Sequence, residues 1–178
     1  MRAVTRVAAK LRPRLARLEL LCFDLDGVLT DGGLYYTDNG EELRKFDVKD
    51  GLGIKAVIEA GLLVAVLTGS DAPAIGHRCR RLGIAHVRTG IDDKLAAFKR
   101  LCADLAIDQA RSGYLGDDVN DLPILAVAGV PMAVADAMPT VKAAAAYVTK
   151  AVGGRGAARE ICDLVLAARA KARPAKGR

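Results

Sequence analysis

A rhythm of short extended runs separated by amphipathic stretches limits what this chain can fold into. Strands are expected at Leu20–Leu25, Leu62–Leu67, Ala85–Arg88, Ser112–Leu115 and Val130–Val134, with a last one near Ala146–Val148. Runs this short, parted by segments of helical length, give a parallel α/β sheet with both faces covered. Helices are expected at Asp50–Ala60, from Asp71 as cap to about Leu82 with Gly83 as stop, at Asp92–Leu105, up to about Ala128, and at Ala157–Lys171. One segment breaks the rhythm. Leu34–Thr37 and Glu41–Asp47 flank Asp38-Asn39-Gly40, and Asn-Gly between extended runs reads as a β-hairpin. The predicted fold is one doubly wound α/β domain over residues 20–166, with a hairpin inserted after the first strand.

Charge divides the chain in three. Of the 27 basic residues, 11 lie in the ends 1–19 and 167–178, which hold one acid between them, so the body carries 16 basic and 20 acidic residues. The net charge of +6 therefore belongs to a basic N-terminal extension (1–19) and a basic C-terminal tail (167–178), both expected to be solvated. Nucleic-acid binding fits only those ends, and a 4% aromatic content without Trp offers no stacking platform. No apolar run nears the roughly 20 residues of a membrane span. Cys22, Cys79, Cys102 and Cys162 are widely spaced with no C-x-x-C pair, so buried free thiols and a cytoplasmic location are expected.

The acids of the body are unusual in kind: the chain has 16 Asp and only 5 Glu. Asp is favoured at caps, turns and hard-metal sites, whereas Glu is the routine acid of a helix surface. In a doubly wound sheet the ligand sits at the carboxyl ends of the strands. The first strand delivers Asp24 and Asp26 there, the second Thr68 and Gly69, the helix after the third Lys94, and the fourth Gly116-Asp117-Asp118-Val119-Asn120-Asp121. An Asp before a helix is most often only a cap. Yet roughly 0.14 D-x-D-G and roughly 0.01 G-D-D-x-x-D matches are expected by chance at this composition, and here both stand at strand ends in order.

Carboxylates so gathered repel one another unless a cation sits among them. Oxygen donors without His or Cys select a hard ion, Mg²⁺. With its charge screened, Asp24 can attack phosphorus and form an aspartyl-phosphate. Asp26 can protonate the leaving alcohol oxygen and later deprotonate the hydrolytic water. Thr68, Gly69 and Lys94 can neutralise the equatorial phosphate oxygens.

The segments D-L-D-G-V-L-T-D-G (Asp24–Gly32), L-T-G (Leu67–Gly69), D-D-K (Asp92–Lys94) and G-D-D-V-N-D (Gly116–Asp121) resemble the four signature motifs of the haloacid dehalogenase superfamily. D-G-L-G-I-K (Asp50–Lys55), V-A-D-A (Val134–Ala137), A-Y-V-T (Ala146–Thr149) and G-G-R-G-A-A-R-E (Gly153–Glu160) are similar to its small capless, tetrameric sugar-acid phosphatases. The resemblance implies Mg²⁺ held by the Asp24 carboxylate, the Asp26 carbonyl and Asp117. It implies Asp118 holding a metal-bound water, Asn120 and Asp121 orienting their neighbours, and Asp121 pairing with Lys94. It implies a substrate that is the 8-phosphate of an eight-carbon keto-deoxy sugar acid, used in lipopolysaccharide synthesis, and a homotetramer packed through its hairpins.

Spacing agrees on the missing cap. Only 41 residues separate Asp26 from Thr68 and 25 separate Thr68 from Lys94, which leaves no room for a cap domain in either gap. Something else must then exclude water. Gly153-Gly154-Arg155-Gly156 reads equally as a mobile, anion-reaching tail over a neighbouring site or as a plain loop before the final helix. Two positions depart from the resemblance. Ser70 stands where the eight-carbon phosphatases usually carry Arg and their nine-carbon relatives tend to carry Glu, and Met138 stands where His is common. Arg78 and Arg81 then remain as candidates to meet a sugar carboxylate, and Arg155 is the substrate candidate of the tail reading. A nine-carbon 9-phosphate or broader sugar phosphates are the alternative substrates. A phospho-accepting receiver domain would lack Asp26, and a non-catalytic phosphatase-like scaffold would have lost its carboxylates.

Overall fold

The computed structural model describes residues 11–172. After a helical segment α1 at 11–16, the chain runs β1 (Leu20–Phe23), β2 (Tyr35–Tyr36), β3 (Glu42–Leu43), α2 (Val48–Glu59), β4 (Leu63–Leu67) and α3 (Pro73–Leu82). It continues through β5 (His86–Arg88), α4 (Lys94–Asp104), β6 (Ser112–Gly116), α5 (Leu122–Leu125), β7 (Val130–Ala133), α6 (Pro139–Ala144), β8 (Tyr147–Val148) and α7 (Ala157–Ala172). Six strands form one parallel sheet in the order β5-β4-β1-β6-β7-β8, and β2-β3 make a separate antiparallel hairpin. This is the doubly wound sheet with an inserted hairpin that the sequence predicts.

The central strand is buried on both faces. All four residues of β1 are shut from solvent, and Cys22 is in register with Ala65 on one side and Tyr114 on the other. Tyr114 meets Phe98 of α4 edge to face, with ring centroids 6.3 Å apart. All four cysteines are free and buried.

The strongest link between helices joins the two ends of the body. Asp50, buried in the first turn of α2, accepts hydrogen bonds from the backbone N–H of Gly156 (3.2 Å) and Arg159 (2.7 Å), and so caps the start of α7. A Cβ on Gly53 would lie 2.8 Å from Arg159 Cδ and 3.1 Å from Cys162 Cβ, so glycine there lets the two helices approach. The D-G-L-G motif is thus a packing joint.

Three expectations are corrected and one open alternative is decided. The ends are not solvated over their whole length: Leu11, Leu15, Leu18 and Ala168 join the core, and Arg169 donates to Leu18 O at 2.8 Å. Apolar residues at helical spacing outweigh the positive charge that coats the opposite face; the remaining end residues, 1–10 and 173–178, lie outside the described region. Asp71 does not cap α3. Ala72 holds the cap position without a side-chain bond and Pro73 opens the helix, its fixed φ already suited to that place. The short helix α6, started by Pro139, falls where no helix is expected. Finally, of the two readings of Gly153–Gly156 the packing supports the loop before the final helix, since Gly153 and Gly154 are buried against the loop after β1. Gly154 N donates to Val28 O (2.9 Å), Gly153 N donates to Asp136 (2.9 Å), and a Cβ on Gly153 would sit 1.7 Å from Gly27 O.

Candidate active site

The order of the sheet gathers the acidic loops. From β1 the chain winds outward through β4 and β5, then returns to place β6 on the other side of β1. Asp24 follows β1 and Asp117 follows β6, so the two acids emerge side by side at the switch point. Thr68 emerges beside them from β4.

A buried ion network stands at this point. Lys94 Nζ lies 2.9 Å from Asp24 Oδ1 and 2.9 Å from Asp121 Oδ1. Asp121 is fully buried and fully occupied: Oδ1 also accepts from the Tyr114 hydroxyl (2.8 Å), and Oδ2 accepts from the backbone N–H of Asp117 (3.0 Å) and Asp118 (3.4 Å). Burial raises the Tyr114 hydroxyl well above its ordinary value, with Asp121 adding to it, so it stays a donor. Burial would lower Lys94, but Asp24 and Asp121 outweigh it and keep the ammonium charged.

Oxygens of Asp24, Asp117 and Asp121 lie within 4.8 Å of one another. Asp121 has no capacity to spare, which leaves Asp24 and Asp117 open. Asp117 Oδ1 is buried and has no hydrogen-bond partner among the described residues. Such a group is costly unless something absent from the protein atoms satisfies it. Fully ionised, three carboxylates against one ammonium would leave two negative charges. Their strain shows in the titration. Burial first, then Asp121, pushes Asp24 up to about 6 despite Lys94, and burial with Asp24 and Asp121 pushes Asp117 up to about 8. A divalent cation on hard oxygen donors fits the charge, the donor type and the orphaned oxygen together. Gly27, at φ 78°, gives Asp117 its room, since a Cβ there would meet Asp117 Oδ2 at 2.1 Å.

The remaining expected residues divide. Thr68 is buried, its hydroxyl accepts from Ser70 N (3.1 Å), and Ile91 N donates to its carbonyl (3.1 Å), so the Thr68–Ser70 loop is braced next to the cluster, with Gly69 exposed. Asp26 is held from the hairpin. Arg44 Nε and Nη2 donate to its two oxygens at 2.8 and 3.2 Å, and the same Nη2 donates to Ser70 Oγ at 2.7 Å. Asp118 is exposed and accepts from Val119 N (2.6 Å); Asn120 is exposed, with no side-chain hydrogen bond among the described residues. Arg78 is used elsewhere. It donates to Asp47 O (2.8 Å) and lies over the Phe46 ring, 5.6 Å from its centroid. Arg81 and Arg155 are exposed, with no contact to the cluster among the described residues.

Tyr114 and Arg44 escape the sequence reading. Tyr114 sits inside a strand, where nothing marks its hydroxyl as a partner for an acid. Arg44 shares a strand face with Glu42 by the period-two rule, but alternation alone does not say which face turns inward.

Comparison with known proteins bears on this geometry. The family description "haloacid dehalogenase-like hydrolase" matches residues 83–161. The 3-deoxy-D-manno-octulosonate 8-phosphate phosphatase of Escherichia coli K12 is 44% identical over 171 residues, which span 96% of this chain and 91% of that one. The crystal structure of the phosphatase of that name from Yersinia pestis superposes with a TM-score of 0.89 at 44% identity, covering 90% of this chain and 87% of that one. The Moraxella catarrhalis phosphatase, solved with a magnesium ion, a phosphate ion and a KDO molecule, superposes with a TM-score of 0.89 at 35% identity, covering 91% and 93%.

Proposed function

Because this chain belongs to the haloacid dehalogenase-like hydrolases, in the branch of the 3-deoxy-D-manno-octulosonate 8-phosphate phosphatases, we propose that its strand-end cluster hydrolyses that sugar-acid phosphate to the free acid and phosphate. The enzyme is a Mg²⁺-dependent phosphoric monoester hydrolase. The observation that carries the reading is the buried cluster of three carboxyls with its orphaned Asp117 oxygen, set beside Lys94 and the Thr68–Gly69 loop.

An Asp24 oxygen forms a bond to phosphorus while the bond from phosphorus to the sugar oxygen breaks. The electron pair leaves with that oxygen, and Asp26 supplies its proton. Water then attacks the aspartyl-phosphate and gives its proton to Asp26 as the bond to Asp24 breaks. Lys94, the Thr68 hydroxyl and the Gly69 amide hold the phosphoryl oxygens, and Asp121 aims Lys94. Mg²⁺, held by the Asp24 carboxylate, the Asp26 carbonyl and Asp117, with a water kept by Asp118, would offset the charge of the facing carboxylates and the phosphate. Asn120 flanks these groups.

The proposal includes a homotetramer built on the hairpin face. Leu34, Tyr35, Tyr36 and Leu43 are exposed on it, and Val48 and Leu52 are exposed on α2, which follows; apolar surface of this kind marks contacts between proteins. A cytoplasmic location fits four cysteines that are free and buried. Among the described residues no helix is long and apolar enough to cross a membrane.

The test is phosphate release, with Mg²⁺ and with chelator, from the eight-carbon 8-phosphate, nine-carbon 9-phosphates and hexose phosphates, with Asp24→Asn as blank. A preference of about 100-fold in kcat/KM for the eight-carbon ester, roughly 2.7 kcal/mol, is expected. A nine-carbon preference or a flat profile would assign Ser70 to a different substrate, and no turnover at all would overturn the phosphatase reading.

A further inference from the structure

Arg44 joins three parts of the molecule that the fold could have left separate. Its side chain is only 2% exposed although it comes from a two-stranded hairpin with few buried residues. The chain after β3 returns to the loop after β1, where Phe46 bridges Thr30 and Lys45 Nζ meets Asp31 at 3.1 Å. That return carries Arg44 to Asp26. There the guanidinium grips both carboxylate oxygens, in the two-point geometry that fixes a carboxylate in orientation as well as in place. The hydroxyl of Thr30 adds a bond to Asp26 Oδ1 at 3.3 Å. The same Arg44 nitrogen holds Ser70 Oγ, one residue beyond Gly69 on the loop assigned to phosphate, and Glu42 takes a further guanidinium nitrogen.

We infer that Arg44 is a positioning residue of the reaction, a buried strut from the hairpin that aims the Asp26 carboxyl along the Thr68–Ser70 loop, where the leaving oxygen departs. The inference rests on the phosphatase reading, because it gives Arg44 its effect only through proton transfer by Asp26. In that first step the phosphorus–oxygen bond breaks and the proton passes from Asp26 to the departing oxygen. A sugar alkoxide leaves poorly without that proton, whereas a nitrophenolate leaves readily without it. Loss of the strut must therefore fall on one ester and spare the other.

The experiment compares kcat/KM, which reports the steps up to phosphoenzyme formation, for 3-deoxy-D-manno-octulosonate 8-phosphate and for 4-nitrophenyl phosphate. Both are measured on the same preparations of wild type, Arg44→Lys and Arg44→Ala. Arg44→Ala is expected to lower the sugar-phosphate value by about 100-fold, the lower range of a general acid's contribution, and the aryl value by less than about threefold. Arg44→Lys keeps the charge but not the fork, and should fall between. A variant that folds poorly or assembles incompletely lowers both values by one factor, so the ratio is insensitive to the fraction of active protein. Equal losses on the two esters, or no loss on either, overturn the inference while leaving the phosphatase reading intact. A wild type that turns over neither ester overturns the reading, and the inference with it.

Discussion

In the acidic cluster, Asp24, Lys94 and Asp121 are buried; on the hairpin, Tyr35, Tyr36 and Leu43 are exposed, Tyr36 at 63%. Charge inside and apolar surface outside reverse the usual arrangement, and each reversal has its own cause. In the cluster, every buried charge has a partner or awaits one, and the network is fastened by Asp121, whose two oxygens are both filled, and by Lys94, which pairs with Asp24 and Asp121 and keeps a third N–H free among the described residues. In the hairpin, two strands of two residues each bury almost nothing of themselves. A hairpin that small is marginal alone, and six of the large exposed apolar residues lie within 34–52. In the proposed reading the chemistry belongs to the cluster and the contact between subunits to the hairpin.

The sharpest way to break this division is at Asp24. Asp24→Asn should lower kcat by about 10⁴-fold or more, as loss of a covalent nucleophile does, with the melting temperature kept or raised because a buried charge is removed. Retained turnover in phosphate-release assays would reassign the nucleophile.

Asp121 tests stability in the same region. Asp121→Ala strands the Tyr114 hydroxyl and leaves Lys94 with Asp24 alone, and breaking a buried pair costs about 3–5 kcal/mol. A fall in melting temperature of roughly 6 °C or more is expected by calorimetry, with activity reduced as well. A small change would mean that the network orients groups without holding the fold.

Gly27 sharpens the account of the metal site. Gly27→Ala puts a Cβ into Asp117 and forces a non-glycine residue to φ 78°, so Mg²⁺ affinity by titration calorimetry should weaken about 10-fold or more. Unchanged affinity would place the cation away from Asp117.

The pH dependence carries a definite sign. Asp24 and Asp117 have folded-state values raised to about 6 and about 8. A raised acid favours the folded state below its unfolded value near 4, and that contribution is lost as pH rises through the folded value. Metal-free protein should therefore lose stability between about pH 4 and pH 8. Added Mg²⁺ should raise the melting temperature by several degrees more at pH 8 than at pH 5. An equal Mg²⁺ effect at both values would disconnect the cation from these carboxylates.

The smallest effect on the fold is expected at the hairpin. The double variant Tyr36→Ser and Leu43→Ser should leave far-UV circular dichroism unchanged, since exposed substitutions fall within about 0.5 kcal/mol, while light scattering reports a smaller assembly. An assembly of undiminished size would break the comparison from the other side.

Much of this protein is legible along the chain. The strand ends with their acids, the hairpin at Asn39-Gly40, the stop at Gly83 and the missing cap domain all follow from local pattern and spacing, because strand, turn and acid motif are encoded within a few residues. The helical ends are less legible: charge density at 11–18 and 167–172 argues for solvent, and only the packing of Leu11, Leu15, Leu18 and Ala168 shows otherwise. Gly153-Gly154 looks like a loop of free glycines, and it is a tight contact with residues far away in sequence.

What the sequence determines by itself is the chemistry available: which acids stand at which strand ends, and that no His or Cys joins them. What only the tertiary structure decides is how that chemistry is shared out. It makes Asp121 a filled anchor and Asp117 an open ligand, spends Arg78 on Phe46 and Asp47, and brings Arg44 from the hairpin to Asp26 and Ser70. The reason is physical. Residue type and spacing fix what a side chain can donate or accept, but which partner it meets, and whether water competes, depends on contacts between segments the chain keeps far apart.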